Sequence, residues 1–596
     1  MILSVLPTAP RGSSVNGRRL GAALAGAAFV SAATISGCIT PAAPAANGHR
    51  LTGLADRLAS LEVAHDPSVA GIIGIAPPAQ ASWPDRRPTA LRAYAAASDA
   101  ILSELQAMPL DRLGKHERAL HSAMVERLEA RRQLEICRLP LWGSISHMEG
   151  WHLELPGLAA EQPIGTEAAR RAAIARWSSL GVRVDQEIAN ARAGLKQGYS
   201  SPRPVVRKVI KQLDAMLRGP ADRSPLYSPA GRAGDPAFRR TFGGIVEGPV
   251  RLALSGYRDF LETEYLPQAR DTLAVSAHPD GKACYAAFLR RHTTMTRSPE
   301  EVYRLGQQAV ERGLAEVAEL GNAHFNTWDV GQIVERLRQD PRNRFGSEEE
   351  LITFSRVVVA SALEKSRSLF AQLPEQPVHV EPFAEAQRGS GRSAHYEPSF
   401  DPAKPAYYRI NAEAWQTETR GNAEIAAVHE GVPGHHLQIS RALSGKNHPI
   451  AKLLTNAAFV EGWGRYAEAL AEEAGIYRTP HALIARRLWP ARGMVADPGL
   501  HVFGWTREQV VQFFLRSGRF AQADADDLVD RMAIMPGQLT AYDSGLLEIF
   551  ALRREAQEAL GARFDVRSFH EVVLGNGPVP LRTLRSLVGE WTRTPR

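Results

Sequence analysis

The stretch His429-Glu430-Gly431-Val432-Pro433-Gly434-His435-His436-Leu437-Gln438 places imidazoles and a carboxylate within a few residues of one another. That set holds zinc and activates a water beside it, so the chemistry in view is metal-assisted hydrolysis. In the ordinary helical form of such a site two histidines stand four residues apart, and the glutamate after the first is the general base. Here the next histidines are His435 and His436. On an unbroken helix His435 would lie roughly 240° around from His429, and His436 would be aligned with it but about 10 Å along the axis. Neither could share an ion whose bonds to nitrogen are about 2 Å long. Pro433-Gly434 offers a way out, because proline removes a helical hydrogen bond and glycine tolerates the backbone of a bulge. Looping out two residues returns His435 to the four-residue phase and leaves His436 as a neighbour or a contact to substrate.

A third ligand has to come from another element. Phe459-Val460-Glu461-Gly462-Trp463-Gly464-Arg465-Tyr466-Ala467-Glu468 reads as a helix in which Glu461 and Glu468, almost two turns apart, share a face. Glu461 is the expected third ligand, since a glutamate from a second helix completes sites in which the first helix supplies two histidines and a base.

These two motifs resemble those of the bacterial proteins grouped as domain of unknown function 885, His-Glu-x-x-Pro-Gly-His-x-x-Gln followed by Glu-Gly-Trp. The resemblance continues through Arg492, Asp497, Gly499 and His501, Gly504-Trp505, Pro536-Gly537-Gln538, Tyr542, Gly545, Arg553 and Phe569-His570. Weaker echoes at Thr293-Thr294 and Ser298 to Glu301 extend it over most of the chain after residue 50. Pro498 departs from the pattern, where a small or β-branched residue is expected. The resemblance implies a zincin-like, gluzincin-type metallopeptidase with one Zn2+ per chain on His429, His435 and Glu461, and Glu430 as general base. Tyr542, then His501, are candidates to donate to the negative oxygen of a tetrahedral intermediate. Arg553, His436 and Tyr408 are candidate substrate contacts, Arg553 through its planar fork. The expected substrate is a peptide or small amide. A zinc hydrolase acting on non-peptide amides or esters is one alternative, and a non-catalytic helical binding lipoprotein is another.

The elements that must position these groups are mostly helical. Apolar and charged residues alternate at helical spacing, and Ser298 to Glu301, Ser347 to Glu350 and Thr506 to Gln509 read as capping boxes. Between 376 and 413 short strand-like pieces appear, among them Val378-His379-Val380 and Tyr407 to Asn411. The expected fold is a large, mostly α, zincin-like helical fold with a small β-sheet beside the metal-binding helix. A Pro/Gly-rich region at about 219 to 249 reads as a long loop. The expected division is a signal peptide over 1–37, a lipidated tether over 38–50, an N-terminal helical region over 51–375 and a catalytic region over 376–596, the last two forming one intimate unit.

Arg11, Arg18 and Arg19 precede an apolar stretch from Leu20 to Ile35, and Ile35-Ser36-Gly37-Cys38 resembles a lipobox. The protein is therefore expected to be exported and held in the cell envelope by a lipid on Cys38, with soluble periplasmic secretion as the alternative. The net charge of +7 falls to +4 without those three arginines. With no basic block, nucleic acid is not an expected partner. Only Cys137 and Cys284 remain after Cys38, which excludes zinc held by cysteines and leaves open whether the two pair.

Overall fold

The computed structural model describes residues 46–74, 82–383, 394–401, 403–445 and 447–594. The expected signal peptide, lipobox and Cys38 lie outside the described residues, as does the start of the tether. Among the described residues no helix is long and apolar enough to cross a membrane.

The described residues are mostly α, with one three-stranded sheet. Seven helices matter to the site: α1 (Gly281–Thr293), α2 (Arg420–Glu430), α3 (His435–Ser444), α4 (Ala457–Glu473), α5 (Arg492–His501), α6 (Gln522–Ile534) and α7 (Ala541–Leu560). The strands are β1 (Val378–Pro382), β2 (Ala394–Glu397) and β3 (Ala406–Ile410). β3 is central, parallel to β1 with Val380 opposite Tyr408, and antiparallel to β2 with Tyr396 opposite Tyr408. Val380, Tyr408 and Ile410 share a core with Ala423, Ala427 and Val428 of α2 and with Val358 and Val359 of the helix Glu348–Ser366. This packing seats α2 beside the sheet.

Helix starts follow local chemistry. Ser298 Oγ accepts from Glu301 N at 3.2 Å, Ser347 Oγ from Glu350 N at 3.1 Å, and Thr506 closes a reciprocal box with Gln509. The region 219–249 corrects the expectation of a loop. It folds into short helical pieces with Pro225, Pro229 and Pro236 in their first turns, where the missing N–H costs nothing. Asp235 caps the longest of these by accepting from Ala237 N and Phe238 N. Their apolar faces join a core running from Ile145 to Ala269.

Other cores cross the expected boundary near 375. Leu51 to Leu128 pack with Ile450, Leu453 and Leu454, while Ala119 and Phe370 join the core around α4 and α7. A disulfide joins Cys137 to Cys284 on α1, tying two segments 147 residues apart. α4 and α7 meet at glycines: a Cβ on Gly462 would lie 2.5 Å from Gly545 Cα, and one on Gly545 would lie 1.8 Å from Ala458 O. No side chain fits at that crossing.

Candidate active site

α2 ends on His429-Glu430, and α3 begins on His435. Hydrogen bonds count the excursion between them. Gly431 N still donates to Ala427 O at 3.0 Å, but the Val428 carbonyl, which an unbroken helix would offer to residue 432, accepts from Gly434 N at 3.1 Å. Two residues are looped out, and Gln438 N to Gly434 O at 3.1 Å resumes the helical pattern. The Val432-Pro433 peptide is cis. Gly434 is sterically required, since a Cβ there would lie 2.0 Å from His429 O and 2.4 Å from Val428 O. The indole of Trp463 on α4 donates to Pro433 O at 2.8 Å and pins the bulge to the neighbouring helix.

The bulge brings His429 and His435 together, their ring centroids 4.6 Å apart and their planes at 84°. Glu461 Oε2 lies 3.5 Å from His429 Nε2 and 3.6 Å from His435 Nε2. In a tetrahedral zinc site with bonds of about 2.0–2.1 Å, ligand atoms are about 3.3 Å apart. The three side chains therefore fit around one zinc ion. His429, Glu430 and His435 also form a compact group, with ligand atoms within 4.8 Å of one another. We nevertheless take Glu461 as the third ligand candidate, because one of its oxygens faces both Nε2 atoms.

Glu468 Oε1 lies 2.8 Å from His429 Nδ1, so a proton on Nδ1 leaves Nε2 with its lone pair towards the centre. Arg465 Nη1 in turn donates to both oxygens of Glu468 at 3.0 Å. His435, Glu461, Arg465 and Glu468 are all buried. Burial alone would lower the His429 pKa, but Glu461 and Glu468 outweigh it and raise it to about 10. Burial likewise opposes ionisation of Glu461, yet the two imidazoles hold its carboxyl well below the usual range. The field at this point favours a positive charge. Room for the ring comes from Gly464, where a Cβ would stand 2.5 Å from His429 Cε1. The run Glu461-Gly462-Trp463-Gly464 thus supplies a carboxylate, a close helix crossing, a clamp on the bulge and space for His429.

Glu430 Oε2 accepts from Tyr396 N on β2 at 2.8 Å, which leaves its other oxygen free of this contact. Tyr542, on α7, has the Arg465 guanidinium 5.9 Å from its ring centroid and accepts from Arg531 Nη2 at 3.5 Å. Burial raises its pKa, and the charge of Glu461 raises it further, which places the phenol within the field of the centre.

Four expected roles are corrected. His501 is fully buried, with Nδ1 accepting from Val275 N and Nε2 bonded to Met532 O, both at 3.0 Å, so neither ring nitrogen is left for an intermediate. The helix carrying it runs through Pro498 without ending there. Arg553 commits both Nη atoms to Glu473 and donates to Tyr466 OH, so it braces α7 against α4 and is not a free carboxylate anchor. His436 bonds Tyr396 OH at 3.1 Å and Gln376 O at 2.9 Å, and burial lowers its pKa to about 4. It is a neutral strut between α3 and β2. Tyr408 is 1% exposed on the central strand, in the core under α2, and so does not face a substrate.

Sequence reasoning missed the bonds of Glu468 to His429 and of Tyr396 N to Glu430. The seven-residue spacing of Glu461 and Glu468 pointed to the first, whereas no local signal pointed to the second.

Fold and site together define a mostly helical protein with a partly buried His-Glu-His-Glu cluster beside a small sheet. The chain belongs to the family described as bacterial protein of unknown function (DUF885), whose model matches residues 67–588. Among solved structures it is similar to a "putative lipoprotein" from Colwellia psychrerythraea, at 22% identity and a TM-score of 0.81, covering 92% of this chain and 99% of that one. It is also similar to a protein from Shewanella oneidensis with the same description and unknown function, at 18% identity and a TM-score of 0.75, covering 91% and 100%. These likenesses show the shared fold. No curated protein matches the chain.

Proposed function

We propose that this protein is an exported zinc-dependent hydrolase, most simply a metallopeptidase of zincin type, with His429, His435 and Glu461 holding the ion and Glu430 as general base. The observation that carries the reading is one oxygen of Glu461 at 3.5 and 3.6 Å from two imidazole nitrogens that a two-residue bulge has brought into phase. Zinc bound there would lower the pKa of a coordinated water towards neutrality and polarise the carbonyl under attack. Glu430, oriented by Tyr396 N, takes a proton from water and passes it to the leaving amine. Glu468 holds the His429 ring and its tautomer. The Tyr542 hydroxyl donates to the oxygen on which negative charge develops. Strand β2 lies at the sheet edge beside Glu430, where backbone groups can align an extended peptide.

Export is supported by the basic, apolar and lipobox segments of the amino terminus, by the disulfide, and by the description of both structural neighbours as lipoproteins. Lipidation of Cys38 is tested by membrane fractionation of Cys38→Ala, which should release the protein. Metal content decides the main reading: about one zinc per chain, lost in His435→Ala and kept in His436→Ala. Glu430→Gln should keep the zinc and lose turnover. A wild type that takes no zinc on reconstitution would refute the reading and favour a binding lipoprotein. Cleavage of esters or acylamides but not of peptides would select the non-peptide hydrolase.

A further inference from the structure

Several guanidinium groups on or against α3, α4 and α7 are paired with carboxylates. Arg465 bonds Glu468, Arg553 bonds Glu473, Arg487 bonds Glu472 and Arg441 bonds Glu571. Arg531 on α6 differs. Among the described residues its side chain donates to Gln538 Oε1 at 2.5 Å and Tyr542 OH at 3.5 Å, both uncharged acceptors, and its Nε is buried with no hydrogen-bond partner. The acid whose charge it feels, Asp497, turns Oδ1 to Tyr285 OH and Gly537 N, both at 2.8 Å, and makes no ion pair with it. A second arginine, Arg519, also acts on Tyr542. Its electrostatic neighbours are Arg465, Glu468 and Glu418, and its side chain lies 6.0 Å from the Trp489 ring centroid. Tyr542 in turn lies in the field of Glu461. A cation without a carboxylate partner among the described residues therefore stands one side chain away from the His-Glu cluster. Leaving a guanidinium N–H buried and unpaired costs free energy that an incoming anion would recover.

We propose that Arg531 anchors a substrate carboxylate, so that the site acts on peptides or acyl-amino acids whose free carboxylate lies next to the bond being cut. This rests on the hydrolase reading above and narrows its substrate class. It moves to Arg531 the substrate contact that the planar fork of Arg553 had suggested. Tyr542 then links the two functions, with its ring near Arg465 and its hydroxyl bonded to Arg531.

The test uses the zinc-loaded full chain and a set of N-acetyl dipeptides, each as the free acid and as the C-terminal amide. Charge-assisted hydrogen bonds predict a preference for the acids of about 10- to 100-fold in kcat/KM. In Arg531→Gln that ratio should collapse towards one, and Arg531→Lys should keep part of it. A wild type that treats acid and amide alike would overturn the proposal. So would an Arg531→Gln protein that loses activity on both while keeping their ratio, because Arg531 would then merely prop Tyr542. Calorimetric binding of the same pairs to zinc-loaded Glu430→Gln separates the two levels of inference. Acid-selective binding without any wild-type hydrolysis would sink the hydrolase reading alone, hydrolysis without acid preference would sink the carboxylate anchor alone, and neither binding nor hydrolysis would sink both.

Discussion

Replacing Gly464 by alanine adds one methyl group against the His429 ring, at 2.5 Å from Cε1, 2.8 Å from Nε2 and 2.9 Å from Nδ1. Ordinary contact begins at 3.4 Å, so ring and helix must part by 3.4 − 2.5, or about 0.9 Å. Neither can retreat easily. Glu468 holds His429 Nδ1 at 2.8 Å, and α4 is fixed by the Gly462–Gly545 crossing, where no side chain fits. A zinc–nitrogen bond is accurate to about 0.2 Å, so the displacement exceeds the tolerance several-fold. Zinc affinity should fall at least about 100-fold, beyond the usual range for disturbing a ligand's support. The metal-free protein should lose only about 1–3 kcal/mol from overpacking. Competition with a chelator of known affinity reads the first quantity and chemical denaturation of metal-free protein reads the second. Gly53→Ala, with nothing within 4 Å of its new Cβ, serves as the control. Zinc affinity within threefold of wild type in Gly464→Ala would refute the placement of His429 as a ligand pressed against α4.

Glu468→Gln removes the charge that orients His429 and leaves Arg465 buried beside a neutral amide. Zinc affinity should drop about 10- to 100-fold by chelator competition, with a lower melting temperature. Burial raises the Asp497 pKa to about 7, above the 3.8 of the free side chain, so the folded state binds its proton more tightly than the unfolded state does. Its contribution is therefore fully present below about pH 4 and is lost as pH rises through 7. Asp497→Asn should flatten that slope in unfolding free energies measured between pH 4 and 8, and an unchanged slope would refute the assignment. Cutting the Cys137–Cys284 bond by reduction or by paired serine substitution opens a 147-residue loop, for which chain entropy predicts a loss of up to about 5 kcal/mol. Equal stability of oxidised and reduced protein in urea would show that the bond contributes nothing.

What the sequence determined by itself is local. The bulge was legible because His435 comes six positions after His429 with Pro433-Gly434 between them, and helix geometry leaves one way to converge them. The shared face of Glu461 and Glu468 follows from 3.6 residues per turn, and the strands followed from a change of period before α2. Partner choice among long polar side chains was not legible, since it depends on elements far apart in the chain. His501 looked available until Val275 and Met532 took both of its nitrogens, and Arg553 until Glu473 took its fork. The pairing of Cys137 with Cys284 and the Tyr396 amide on Glu430 likewise arise only when distant segments pack. Covalent spacing and backbone sterics act within a few residues and can be read from composition and order. Hydrogen-bond satisfaction and burial are settled by whatever the fold brings within 3 Å, and that only the tertiary structure decided.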